Sequence, residues 1–223
     1  MRTAILALLA ASTSIASANA AVIINDSTLG YYTSSLGNLA TIPAFASQTD
    51  TGTGFNLFPN AGDPLIPNAS APNLAVAGAP ADFATFLGTS APTGGGWSAA
   101  PVAIPGTWAV GSETAIVYEF NAGAGLSNIT VSLGVDNGVF VWLNGQYQFG
   151  ALAAGGFSAN EYSFTLPDLS GVNYLQVLRE DHGGLTGYTI QVTGDRTVPA
   201  PEPGSLIVLG AGLALTGIAR RRR

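Results

Sequence analysis

The stretch Ile129-Thr130-Val131-Ser132-Leu133-Gly134-Val135-Asp136-Asn137-Gly138-Val139-Phe140-Val141-Trp142-Leu143-Asn144-Gly145-Gln146-Tyr147-Gln148-Phe149 decides the fold. Two Asn-Gly pairs divide three apolar-rich runs. Asn-Gly between such runs is the strongest short hairpin signal, because a type I′ turn needs positive φ at both central residues. The expectation is a three-stranded meander with strands over 129–136, 139–143 and 146–149. With Asn137-Gly138 as the first loop, Asp136 pairs with Val139, Val135 with Phe140 and Leu133 with Trp142. With Asn144-Gly145 as the second, Leu143 faces Gln146, Trp142 faces Tyr147 and Phe140 faces Phe149. One face then gathers Val131, Leu133, Val135, Phe140, Trp142, Tyr147 and Phe149. The other carries Ser132, Gly134, Gln146 and Gln148, with Val139, Val141 and Leu143 on the middle strand.

The flanking runs alternate in the same way. Thr114, Ile116, Tyr118 and Phe120 share one side of a strand, and Tyr162, Phe164 and Leu166 share a side of another. Leu175 and Val177 lie in a strand over 173–179, and Tyr188, Ile190 and Val192 in the last. Six or more strands with short turns indicate an all-β antiparallel sandwich, since a single open sheet would leave an apolar face wet. Residues 113–197 form its expected core. Residues 21–112 are rich in Gly, Pro, Ala, Ser, Thr and Asn, and are expected to be extended loops decorating a sheet. Short strands are expected there over 22–25, 30–33 and 54–58. Residues 82–87 are a strand or one to two helical turns. Pro59, Pro64, Pro67, Pro72, Pro80 and Pro92 remove amide donors too often for long helices or central strands. Gly94-Gly95-Gly96 reads as a flexible connection.

Of the 223 residues, 47% are hydrophobic and only 9% charged, against about a quarter in an ordinary soluble protein. All seven basic residues are Arg, and five of them (Arg2, Arg220, Arg221, Arg222 and Arg223) sit at the extremes. From Ala21 to Thr197 only Arg179 and Arg196 oppose twelve acids, so the body carries 2 − 12 = −10. Two cations cannot neutralise a phosphate backbone, which excludes nucleic acid as a partner. Without Cys there is no disulfide frame, thiolate metal site or thiol nucleophile.

Both ends read as addresses. Residues 1–20 place Arg2 before a short apolar run, and Ala18-Asn19-Ala20 supplies small residues where signal peptidase inspects. This is a signal peptide, a helix cleaved before Ala21. At the other end, 198–223, Pro201-Glu202-Pro203 precedes an uncharged segment and the run Arg220 to Arg223. The apolar part, 206–219, is shorter than the roughly twenty residues of a stable span. It reads as a short hydrophobic helix inserted transiently in the inner membrane, with the Arg cluster on the cytoplasmic side. The Pro-Glu-Pro motif, apolar helix and terminal Arg run resemble the PEP-CTERM sorting signal of Gram-negative bacteria. That resemblance implies recognition and removal by an exosortase, in a host making exopolysaccharide.

The body has a resemblance of its own. Residues 115–120, 135–145 and 171–177 look like the galactose-binding-domain-like jelly roll over about 113–194, which implies a jelly-roll sandwich of the kind that accompanies bacterial surface proteins.

Several residues are candidates for chemistry. Asp136 and Asn137 offer oxygen ligands for a sugar or Ca²⁺ on a turn, and are similar to the Asp-Asp pair of a family of sugar-binding domains, with Asn137 departing from it. The competing reading is that Asn137-Gly138 serves the turn and Asp136 is solvated. Trp97 and Trp108 are either stacking platforms for a sugar ring or plugs closing the sandwich ends. Glu180-Asp181-His182-Gly183-Gly184 sets two acids beside the only His, which suits acid–base chemistry or a plain loop. No Gly-x-Ser-x-Gly, His-Glu-x-x-His or phosphate-cradling loop occurs. Asn25-Asp26-Ser27 matches a glycosylation sequon, a frequent coincidence in such a chain.

The leading expectation is an exported, non-enzymatic surface or matrix protein that adheres or binds glycan weakly. It needs no cofactor or resident metal, and its partners are signal peptidase, exosortase and exopolysaccharide. A passive coat protein without a ligand, and a glycan hydrolase or lyase using Glu180, Asp181 and His182, stay open beside it.

Overall fold

Period-two alternation of apolar residues in most strands, and an unbroken apolar run in one, build two antiparallel sheets. The computed structural model describes residues 19–62 and 64–197. Among them the strands are β1 (Asn19–Ile24), β2 (Tyr31–Gly37), β3 (Glu113–Asn121), β4 (Leu126–Asp136), β5 (Gly138–Leu143), β6 (Gln146–Leu152), β7 (Tyr162–Leu166), β8 (Val172–Glu180) and β9 (Gly187–Arg196). Two short helices, α1 (Pro43–Ala46) and α2 (Phe83–Phe86), lie between β2 and β3. One sheet has the order β1-β9-β4-β7, the other β2-β3-β8-β5-β6. The protein is an all-β sandwich. Residues 1–18 and 198–223, and with them the signal helix, Ala18, Pro201, Glu202, Pro203 and the Arg run, lie outside the described residues. Ala20 and Ala21 are both in β1, opposite Asp195 and Gly194. No helix among the described residues is long and apolar enough to cross a membrane.

Between the sheets, the facing sides of the strands form one core. Ile116, Tyr118 and Phe120 of β3 meet Leu175 and Val177 of β8, Val139, Val141 and Leu143 of β5, Val131, Leu133 and Val135 of β4, and Tyr188, Ile190 and Val192 of β9. The alternation read in β3, β8 and β9 places those residues as expected.

The first Asn-Gly pair behaves differently from the expectation. Residues β4 and β5 do not form a hairpin: β4 pairs with β7 and β9, whereas β5 pairs with β6 and β8 in the opposite sheet. Asp136-Asn137-Gly138 is where the chain crosses the sandwich. Neither Asn137 nor Gly138 has positive φ, and the Asp136–Asn137 peptide is cis. The pairs Asp136–Val139, Val135–Phe140 and Leu133–Trp142 therefore do not exist; Asp136 pairs with Gly187, Val135 with Tyr188 and Leu133 with Ile190. The second Asn-Gly pair is the expected hairpin, with φ of 50° at Asn144 and 77° at Gly145, and Leu143 opposite Gln146 and Trp142 opposite Tyr147. A bulge between Val141 and Trp142 then shifts the register, so Phe149 faces Val141 and not Phe140.

The crossing also divides the expected aromatic face. Val131, Leu133 and Val135 are in the inter-sheet core, while Phe140 and Trp142 point to the outside of the five-stranded sheet. There they meet a second core supplied by the segment between β2 and β3. Leu39, Phe45, Leu57, Phe58, Ile66, Leu74, Phe83 and Phe86 cover Ala115, Val117, Phe140, Trp142, Leu152 and Leu178. The Pro-rich segment is thus a third packed layer and no loose decoration. Its backbone is irregular because its apolar residues, spaced by Pro and Gly, are carried by turns. The expected strand over 54–58 is a single bridge, Thr49 to Asn56, and 82–87 holds α2.

Polar clasps hold that layer down. Asp50 accepts hydrogen bonds from Thr53 N (2.6 Å), Thr53 Oγ1 (2.8 Å), Gly52 N (3.0 Å) and Ser70 N (2.8 Å). Burial alone would raise its pKa, but these donors prevail and bring it down to about 2. Asp82 accepts from Thr33 Oγ1 (2.7 Å), Ser35 Oγ (3.0 Å) and Gly96 N (2.8 Å). The glycines at 94–96 are a tight clasp where a flexible connection was expected: an added Cβ at Gly95 would lie 2.9 Å from the Asp82 carboxyl, and one at Gly96 would collide with Ser35 Oγ.

Candidate functional site

The sequence candidates fall into three places. At the sheet crossing, Asp136 and Asn137 are each only 4% exposed, so Asp136 is buried where the turn reading had it solvated. Asn137 N donates to Glu180 O (3.2 Å), Ala153 N donates to Asn137 O (3.1 Å), and Gly138 pairs with both Glu180 and Leu152. Strand pairing thus brings Asp136, Asn137 and Glu180 to one corner. His182 joins them, its Nδ1 lying 2.8 Å from Glu180 Oε1 and 3.1 Å from Oε2. Glu180 ends β8, and positive φ at Gly183 and Gly184 turns the chain back toward β9.

Glu113, at the start of β3, is drawn into the same corner. Burial pushes its carboxyl up to about 8; the hydrogen bond from Leu39 N (2.7 Å) opposes this, and the nearby Glu180 and Asp181 carboxylates add to the rise. Glu113 is therefore mostly protonated at neutral pH. Asp181 accepts a short hydrogen bond from Gly111 N. The side chains of Glu180 and His182 are buried. Among the described residues no group of three or more His, Asp or Glu side chains is arranged to hold a metal ion.

Both tryptophans close packed layers. Trp97 stacks on Phe86 (5.9 Å between centroids, 17° between planes) and donates from Nε1 to Asp82 O (2.9 Å). Trp108 donates from Nε1 to Ser112 O (2.8 Å) and lies against the inter-sheet core. Over its ring, 4.2 Å from the centroid, sits the guanidinium of Arg179.

Arg179 is fully buried, and its neighbours are aromatic: besides Trp108, the rings of Tyr188 and Tyr32 lie 5.0 and 5.5 Å from the guanidinium carbon. Nε donates to Thr114 Oγ1 (2.9 Å) and Nη1 to Pro105 O (2.8 Å), while Nη2 makes no hydrogen bond of normal geometry. Burial lowers its pKa and the surrounding tyrosines work against that. Among the described residues, cation–π contact with three rings stands where a buried Arg usually has a carboxylate partner.

Beside this cluster the structure holds a cavity of about 320 Å³ that sequence reading missed. Its walls are Asp26, Ile104, Gly106, Tyr118 and Tyr188. Asp26 also borders a polar groove of about 230 Å³ with Asn25, Ser132, Asn160, Thr189 and Gln191. The Asp26 carboxylate is fixed by Thr189 Oγ1 (2.8 and 3.0 Å) and Ile190 N (2.7 Å). Asp26 and β9 are some 160 residues apart, and no local motif joins them. The only nearby trace is Asn25-Asp26-Ser27, whose Asn25 Oδ1 accepts from Ser27 N (3.0 Å) and so serves a turn. A third hollow, about 430 Å³, is apolar and lies on the outer layer between Pro72 and Leu87.

A scan against protein-family models finds no match for this chain, and a search of the curated proteins finds none either.

Proposed function

We propose that the chain is an exported, non-enzymatic β-sandwich of jelly-roll type, sorted by an exosortase to the cell surface or exopolysaccharide matrix, where it adheres and binds neutral glycan weakly. The observation that carries this reading is that the first and last strands of the body are hydrogen-bonded neighbours. Cleavage before Ala21 trims β1 by two residues and with them the pairs Asn19–Arg196 and Ala20–Asp195, but it and loss of the tail beyond Thr197 leave Ala21–Gly194, Val22–Thr193 and Ile24–Val192 in place. A body closed in this way tolerates processing at both ends, as signal peptidase and an exosortase would require.

Strand order supports the jelly-roll type. With β2 set aside as an added edge, the sheets run β1-β9-β4-β7 and β3-β8-β5-β6, the interleaving of two Greek keys. Burial of the Glu180 and His182 side chains supports a non-enzymatic role, since a substrate would have no access to that pair. The body's charge of −10 favours neutral sugars over anionic ones.

Sorting is tested by exporting the full chain in a Gram-negative host that carries an exosortase. The expected product begins at Ala21 by N-terminal sequencing and lacks the Arg tail by mass. Replacing Pro201, Glu202 and Pro203 by Ala should leave the tail uncut and the protein in the inner-membrane fraction. Identical mass and location for both proteins would overturn the sorting reading.

A further inference from the structure

We propose that three loops at one end of the sandwich form an apolar tip that inserts into the headgroup boundary of a neutral phospholipid surface. This goes beyond sorting and glycan binding, and it stands on the body alone.

Strand register defines the end. Thr114 pairs with Arg179, Gly138 with both Glu180 and Leu152, and Asp136 with Gly187. Strands β3, β5 and β9 therefore begin there, and β4, β6 and β8 finish there. The loops over 107–112, 153–160 and 181–186 meet at this end, and each carries one bulky apolar residue beside glycine. The three are Val110-Gly111, Gly155-Gly156-Phe157 and Gly183-Gly184-Leu185. Val110 is 54% exposed, Phe157 43% and Leu185 76%. Scattered singly, such residues would need no explanation; gathered on one end they mark a contact surface.

All three loops are tied to one short segment. Thr186 Oγ1 accepts from Trp108 N (2.8 Å) and donates to Trp108 O (2.9 Å), two residues before Val110. Gly111 N donates to the Asp181 carboxylate. The Phe157 ring lies on Gly187, where an added Cβ would collide with it, and Ser158 O lies in the same way on Gly134. Leu185 precedes both anchor points, Thr186 and Gly187. The tip is thus built on a fixed base, with its apolar side chains directed outward.

Charge and area decide what the tip meets. Segments 107–112, 153–160 and 182–187 hold no Asp, Glu, Lys or Arg, in a body of net charge −10. The acids at this end, Glu113, Asp136, Glu180 and Asp181, are buried. Glu161, at the foot of β7, is the first exposed acid after Phe157. An uncharged tip on an acidic body without Lys suits a neutral surface and is repelled from an anionic one. The three side chains expose roughly 300 Å² of apolar surface, well under the roughly 800 Å² that each partner contributes to a stable protein interface. That argues against a second copy or another protein as the occupant. Separate side chains on glycine-flanked loops also leave gaps that a rigid partner would not fill, whereas headgroups and acyl chains close around them. Lipid attachment scales with the apolar area inserted and needs no matching shape. The body begins and ends at the opposite end of the strands, where Asn19 pairs with Arg196, so processing at either terminus leaves the tip intact.

The test uses residues 21–197, which contain both packed cores entire, so that neither terminal apolar segment contributes. Sedimentation with phosphatidylcholine vesicles is expected, and weaker sedimentation when phosphatidylglycerol is added at low salt. Leu185→Ser should weaken binding about tenfold, and Val110→Ser with Leu185→Ser should abolish it, with thermal unfolding unchanged because both side chains are exposed. Leu185→Trp should add emission that shifts to the blue on vesicles and is quenched by brominated acyl chains. No binding of the parent to neutral vesicles would overturn the proposal, as would equal binding by the double variant. A preference for anionic vesicles, or Leu185→Trp emission indifferent to the brominated lipid, would do the same. Concentration-dependent dimers that the double variant abolishes would assign the tip to a second copy instead. Failure of tail cleavage would leave every one of these results unchanged.

Discussion

Asn137-Gly138 and Asn144-Gly145 are the same dipeptide, seven positions apart, each between two strands, yet they do opposite things. Asn144-Gly145 folds β5 back on β6 within one sheet, with both residues at positive φ. Asn137-Gly138 carries the chain from one sheet to the other, with neither residue at positive φ. The difference lies in what the flanking strands need. Along β4, inward Val131, Leu133 and Val135 alternate with Thr130, Ser132 and Gly134, as suits a sheet packed on one face. Along β5, Val139, Phe140, Val141, Trp142 and Leu143 are apolar on both faces, which suits a strand inside a doubly covered sheet. Pairing β4 with β5 would have exposed one of these faces. Burial overruled the turn preference.

Three substitutions probe the contrast, beginning with the largest effect. The crossing is crowded with carboxyls and the hairpin is not, so the crossing should dominate the response to pH. Between about pH 4.5 and 8, folded Glu113 holds a proton that the unfolded chain has released, so stability falls as pH rises through that window. The loss carried by this group is on the order of 5 kcal/mol. Glu113→Gln keeps an acceptor for Leu39 N and should flatten the decline between pH 5 and 9 in denaturant titrations. An unchanged slope would show that Glu113 titrates normally. Gly145→Ala comes next, at roughly 3 kcal/mol, because φ is +77° and the new Cβ would strike the Leu87 carbonyl. Gly138→Ala should cost less, roughly 2 kcal/mol: its φ is ordinary, and the Cβ presses on Glu180 Oε2 at 2.6 Å and Leu152 Cγ at 3.0 Å. If Gly138→Ala proved the costlier, packing at the crossing would outweigh backbone strain at the hairpin.

The all-β sandwich was legible because period-two alternation in β3, β8 and β9 reports burial directly. The crossing was less so, since the Asn-Gly rule is local and the partner of β4 is β9, some fifty residues away. The missing clue was present in β5, whose run without a polar residue asks for cover on both faces. The covering layer was hidden because Phe45, Phe58, Phe83 and Phe86 follow no regular period; they converge through turns pinned by Asp50 and Asp82. At the sequence level Trp97 and Trp108 each fitted both a sugar platform and a plug, because residue type does not reveal what lies against a ring. Asp26, Tyr118 and Tyr188 come from three distant segments, and only the strand order of the two sheets brings them to one recess.

The smallest effect draws the contrast most sharply, because it changes the same residue type at both sites. Asn144 works with its side chain: Oδ1 accepts from Tyr174 N (2.8 Å) and Nδ2 donates to Asn173 Oδ1 (2.9 Å), tying the hairpin to β8. Asn tolerates φ of 50° better than Ala does, so Asn144→Ala loses two hydrogen bonds and adds backbone strain, for about 2 kcal/mol. Asn137 works with its backbone, through N to Glu180 O and O to Ala153 N, both of which Ala would retain. Its Oδ1 is buried without a hydrogen bond, so deleting the amide removes an unsatisfied group and should cost under about 1 kcal/mol. Denaturation midpoints of the two variants, measured side by side, decide the matter. A cost at Asn137 equal to that at Asn144 would mean that its side chain holds the crossing together, and the two Asn-Gly pairs would then be alike in chemistry though opposite in direction.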